Sequence, residues 1–168
     1  IMNTTHSSAL RSGKGFILGS ILAAASLEAG LVQNPSFELN YNETWPHYGA
    51  IDGWTGGSGV NDATGPFHNN GTAITDRSRA AFIQGPDKVM SQDVSGLVPG
   101  KTYWVQFFYD ARSCCGGTIN LATRLNATEL DNIVNVKPAA SPAVYQFRNV
   151  AFKADAETAT LGLATTGS

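Results

Sequence analysis

After residue 30 the chain alternates apolar and polar positions with a period of two, in short runs separated by Gly, Pro, Asn and Asp clusters. Runs of this kind, rich in β-branched and aromatic residues, are the signature of half-buried strands. They predict strands over 31–38, 51–56, 80–84, 88–94, 101–112, 118–125, 143–153 and 158–164. No stretch keeps a helical period, and 126–136 predicts a single turn and nothing more. The strongest pattern lies between Met90 and Arg112. Val89, Ser91 and Asp93 alternate with Met90, Gln92 and Val94, then Leu97-Val98-Pro99-Gly100 breaks the run. In the following strand Tyr103, Val105, Phe107 and Tyr109 share one face. Thr102, Trp104, Gln106, Phe108, Asp110 and Arg112 share the other. Two such runs around a Pro-Gly turn predict a β-hairpin. The wholly apolar face belongs in a core, and the mixed face suits a surface that is partly covered or binds something.

Composition narrows the class. A chain of 168 residues holds one domain with a real core. Only 14% of residues are charged and 18 are Gly, the profile of a loop-rich, all-β extracellular domain. A net charge of -2 with scattered Lys and Arg argues against nucleic acid as a partner, because neutralising phosphates needs clustered cations. Gly56-Gly57-Ser58-Gly59 lacks the following helix and lysine of a phosphate cradle. It opens the largest loop, from Gly56 to Arg79, and loops of that size are usually functional or mobile.

The amino terminus reads differently. Arg11 and Lys14 precede the apolar run Phe16 to Ala25, and small residues lead on to Gly30. This predicts a secretory signal peptide over 1–29 and a domain over 30–168, with a linker or the helix of a preceding domain as the competing reading. The run is too short and interrupted for a membrane span, so no transmembrane segment is expected in the mature domain. Ile1 before Met2 points to a fragment, or to a sequence that runs past its initiator.

Several residues are candidates for chemistry. Cys114-Cys115, followed by Gly116-Gly117, can close a vicinal disulfide across a sharp turn, with two free buried thiols as the second reading and metal or redox use as the third. Trp45, His47 and Tyr48 sit near Pro46 and Gly49, where exposed rings would stack on the apolar faces of sugars. Asn42, His47 and Asp52 are polar partners for such a ligand, and Phe67-His68-Asn69-Asn70 forms a second polar-aromatic loop. Trp104 and Arg112 share the outer face of the long strand, which either lines a ligand groove or lies under loops. Trp54 reads as core. No Gly-x-Ser-x-Gly elbow occurs, and no spacing singles out a carboxylate pair among Glu38, Glu43, Asp52 and Asp62, so the chain reads as a non-enzyme. Sequons occur at Asn42-Glu43-Thr44, Asn70-Gly71-Thr72 and Asn126-Ala127-Thr128.

Two pieces of sequence carry a family resemblance. One is Gln-x-Val-x-x-Leu-x-Pro-Gly-x-x-Tyr, on Gln92, Val94, Leu97, Pro99, Gly100 and Tyr103. The other is Asn34-Pro35-Ser36-Phe37-Glu38 followed by Gly53-Trp54. Together they resemble the galactose-binding-like β-sandwich superfamily, which holds carbohydrate-binding module families 4, 9, 16 and 22 and related cell-wall domains. The resemblance implies an all-β, jelly-roll-like antiparallel β-sandwich. Such sandwiches usually close with one more strand beside the first, so this domain is expected either to be completed differently or to be truncated at its carboxy terminus. It also implies a structural Ca²⁺ near the first strand, with Glu38 as the matching carboxylate. Asp110-Ala111-Arg112-Ser113-Cys114-Cys115-Gly116-Gly117 resembles a recurring element in large bacterial surface proteins, which implies further domains in a longer protein. The expected function is a secreted or cell-surface, non-catalytic carbohydrate-binding module that binds a polysaccharide or glycan through Trp45, His47, Tyr48, Trp104 and Arg112. The alternative is a structural or adhesion domain of a bacterial cell-surface protein with no soluble ligand.

Overall fold

A computed structural model describes residues 30–39, 47–62, 79–111, 118–138 and 145–167. The described residues are all β, with no helix. In chain order the strands are β1 (His47–Tyr48), β2 (Thr55–Gly56), β3 (Gly59–Asp62), β4 (Arg79–Phe82) and β5 (Lys88–Ser95). They continue as β6 (Thr102–Tyr109), β7 (Ile119–Leu125), β8 (Thr128–Ile133), β9 (Gln146–Lys153) and β10 (Thr158–Gly167). A five-stranded sheet has the order β2-β5-β10-β7-β8. The described residues also form a pair, β6-β9, and a three-stranded sheet, β1-β3-β4, and every described pairing is antiparallel.

The five-stranded sheet presents one face to both smaller sheets. At one end Val94, Leu125 and Leu161 meet Tyr103, Val105, Val150 and Phe152 of β6 and β9. At the other end Met90 and Leu163 meet Ile51, Val60 of β3, Ala81 of β4, Ile83 and Trp54. Each side chain of this size removed from water contributes about 1.5–3 kcal/mol, which holds the layers together as a β-sandwich. The inward sets Tyr103/Val105/Phe107 and Ala159/Leu161/Leu163 fall where the alternation puts them.

The predicted hairpin does not form. β5 pairs with β10 and β2, whereas β6 pairs with β9, so the Pro99-Gly100 link carries the chain from one sheet to the other. Leu97 shows why. It is 2% exposed and joins the core instead of a solvent-facing turn. The link docks on the segment between β9 and β10, where Leu97 N donates to Glu157 O at 3.0 Å and Gly100 N to Ala154 O at 2.7 Å. Tyr103 seals it by accepting Val98 N at its phenol oxygen, 2.8 Å away. An arch between sheets and a hairpin within one both need a turn between two alternating runs, so local pattern does not separate them.

Other expectations shift as well. Residues 31–38 form bends and turns, not a strand, with Asn34 and Phe37 at positive φ of 44° and 59°. The 51–56 strand shrinks to β2 and a bridge from Ile51 to Trp54. That bridge closes a turn in which Trp54 N donates to Ile51 O at 2.9 Å, and Gly53 (φ 79°) supplies the left-handed third position. β1 and β3 are strands the alternation does not predict, the second inside the expected Gly56–Arg79 loop. Residues 126–136 give a turn and then β8, whose polar Thr-Glu-Leu-Asp-Asn-Ile run hides its period at the sheet edge. A register shift between Thr123 and Arg124 further obscures it. β10 takes the centre of the five-stranded sheet. The segment 1–29 lies outside the described residues.

Candidate functional site

The outward face of the β6-β9 pair is the most chemically specific surface among the described residues. Antiparallel register sets Trp104 opposite Ala151, Gln106 opposite Asn149 and Phe108 opposite Phe147. Because Tyr103, Val105, Val150 and Phe152 point into the core, these six alternate outward. Phe108 and Phe147 are 48% and 54% exposed, and their ring centroids lie 5.2 Å apart with planes tilted by 52°. Two exposed, touching phenylalanines leave apolar surface in water that a core position would have removed. Trp104 is half-buried at the other end of the strip, four residues and about 13 Å along the strand. The amides of Gln106 and Asn149 lie between. Aromatic faces flanking hydrogen-bonding amides can stack on the C–H faces of a sugar and fix its hydroxyls.

Asp110 follows the end of β6, and burial followed by the Asp110 charge pushes the Tyr145 phenol above its ordinary range. The residue two beyond, Arg112, lies outside the described residues, as do Trp45, Cys114 and Cys115. His47 and Tyr48 stand elsewhere, on β1 of the three-stranded sheet, paired with Val60 and Gly59. Tyr48 is 54% exposed, with its ring edge-on to Phe82 at 5.2 Å. Among the described residues the predicted ligand set therefore divides between two sheets, with Trp104 on one and His47 and Tyr48 on the other. Sequence reasoning placed Phe108 on the correct face and did not single out Phe147. Its signal was the outward phase of Phe147, Asn149 and Ala151 against Val150 and Phe152, but only the pairing reveals its partner.

The residues that carry the family resemblance meet in one polar junction. Buried Gln92 accepts Gln33 N at Oε1 (2.7 Å) and donates through Nε2 to Gln33 O (3.0 Å) and Gly53 O. Asn34 donates through Nδ2 to Asp52 O at 2.8 Å and accepts Leu39 N at Oδ1, 3.2 Å away. Its backbone carbonyl accepts Phe37 N at 3.2 Å and Trp54 Nε1 at 3.3 Å. Trp54 is packed against the core, as read, with its ring tilted on Phe37 at 5.7 Å. These polar side chains hold an irregular amino-terminal segment against the sheet, where strand hydrogen bonds would otherwise satisfy its backbone.

Glu38, the carboxylate matched to calcium, lies 4.0 Å from the Arg79 guanidinium, both largely buried. A cation already beside the carboxylate offsets the charge a Ca²⁺ would need, and the described residues hold no group of three His, Cys, Asp or Glu converging as ligands.

No protein-family model matches the chain. In sequence it is similar to Halomucin from Haloquadratum walsbyi, with 30% identity over 162 residues. The match covers 90% of this chain and 2% of Halomucin, so the chain spans a small fraction of that relative's length. No helix among the described residues is long and apolar enough to cross a membrane.

Proposed function

We propose that the chain is a non-catalytic carbohydrate-binding module of a large cell-surface protein, and that the outward face of β6-β9 is its ligand platform. The observation that carries this reading is the exposed Phe108–Phe147 pair, in line with Trp104 and separated from it by the amides of Gln106 and Asn149. Sugars reward such a surface because stacking uses apolar ring area while nearby amides orient the hydroxyls. The similarity to Halomucin, a cell-surface protein, supports the setting, because the match occupies one short stretch of a far longer chain.

Affinity electrophoresis in gels cast with a panel of plant, bacterial and algal polysaccharides tests the platform. Wild type is retarded by at least one polysaccharide, and a Phe108→Ala/Phe147→Ala double variant runs as in plain gel. A Tyr48→Ala variant stays retarded. If no polysaccharide retards the wild type, the second reading holds, a structural or adhesion domain without a soluble ligand. The junction around Gln92 and Asn34 favours that second reading, because it uses the superfamily-like residues to pin backbone rather than to face solvent.

A further inference from the structure

The turn between β7 and β8 contains Asn126-Ala127-Thr128, and all three residues are exposed. Asn126 does two backbone-like jobs at the end of the central sheet. Its N–H donates to Thr160 O at 2.7 Å, and its Oδ1 accepts Thr160 N at 2.9 Å. The side-chain carbonyl thereby extends the β7-β10 ladder by one bond. It also holds Asn126 at a φ of 52°, a conformation asparagine tolerates better than most residues. The other end of the same amide is left over. Nδ2 engages no described residue, and the Thr128 hydroxyl two positions on is likewise in solvent.

We infer that Asn126 is an acceptor site for an N-linked glycan. The fold uses the oxygen of this amide and leaves its nitrogen, the atom that glycosylation consumes, facing water. In the transfer, Nδ2 forms a bond to the anomeric carbon of a lipid-phosphate-linked oligosaccharide. The bond from that carbon to the phosphate oxygen breaks, the lipid phosphate departs with the electron pair, and Nδ2 loses one proton. The product keeps Oδ1 as an acceptor and one N–H, so the bond from Thr160 N survives modification. The site is separate from the β6-β9 platform and does not depend on it.

Asn126→Asp is the informative variant, because it preserves the acceptor oxygen and removes the nitrogen. The full chain, directed by a host leader through a eukaryotic secretory route, is digested and its peptides are weighed before and after enzymatic deglycosylation. The expected result is glycan on the Asn126 peptide in most molecules. That glycan is lost in both Asn126→Asp and Thr128→Ala, while the circular dichroism spectrum and thermal midpoint of the two deglycosylated variants match those of the deglycosylated wild type. A secreted, folded wild type whose Asn126 peptide carries no glycan overturns the inference, whether or not the sequons at Asn42 and Asn70 are occupied.

Discussion

Arg148 on β9 reaches from the inner side of one sheet to Asp131 on β8 of the other, and grips its carboxylate with two hydrogen bonds. Nε donates to Oδ2 at 2.8 Å, and Nη2 donates to Oδ1. The pair clasps the rim of the sandwich where β8 ends the five-stranded sheet. The Arg148 hydrogen bonds hold the Asp131 carboxyl below its ordinary value, with the guanidinium charge adding to the effect and partial burial opposing it.

Arg148→Ala should therefore lower stability at neutral pH by about 1 kcal/mol, a partly exposed but bidentate pair. The sign of the pH dependence follows from the lowered folded-state pKa. The contribution is fully present above the unfolded aspartate value of about 3.9 and fades as pH falls through the folded value. Urea melts at about pH 6 should separate wild type from variant, and the gap should narrow steadily below about pH 4. A gap independent of pH would show that Arg148 acts through packing alone.

Gln92→Ala should cost about 2–3 kcal/mol, because it strands the backbone N–H and C=O of Gln33 and the carbonyl of Gly53. Hydrogen exchange locates the damage: the Gln33 amide should lose protection while the β7 and β10 amides keep theirs.

Thr123 should respond in the opposite direction. It is 0% exposed, and its hydroxyl has no hydrogen-bond partner. Thr123→Val keeps the shape and removes the unsatisfied group, so stability should rise by roughly 1 kcal/mol in a denaturant titration. A loss of stability would mean that the hydroxyl is satisfied in solution.

Phe147→Ser should leave the fold intact. A cross-strand aromatic pair contributes roughly 0.2–1 kcal/mol, and the lost ring is half in water already. The thermal midpoint should fall by a few degrees at most, while polysaccharide retardation should drop sharply. A collapse in stability would instead mark the pair as structural.

Much of the scaffold was legible in the sequence because alternation reports which side chains enter a core. Tyr103, Val105, Leu161 and Leu163 needed no further information. Pairing was not legible, because a strand's partner is chosen by the shape of the whole sandwich. Hence the Leu97–Gly100 link passed for a hairpin, and the polar β8 passed for a turn. The site suffered the same blindness. Trp104 and Phe108 could be placed on an outward face, yet Phe147 completes the platform only through a register that no local pattern encodes. The motif residues Gln92, Asn34 and Trp54 were visible for a different reason, since an irregular segment pinned by side chains needs particular residue types.

The central position of β10 has a kinetic consequence. Ser95 finds its partner only when Thr158 has been made, and Lys88 only when Thr165 has. Until then β5 and β7 each lack the neighbour that separates them, with donors and acceptors bare along both edges. Pairings so distant along the chain place folding on the millisecond-to-second scale typical of all-β domains. On the ribosome the joining of β5 to β7 waits for β10. A nascent chain stalled before residue 158 should therefore stay sensitive to protease and bound by chaperones, and should snap into a protected state once β10 clears the exit tunnel.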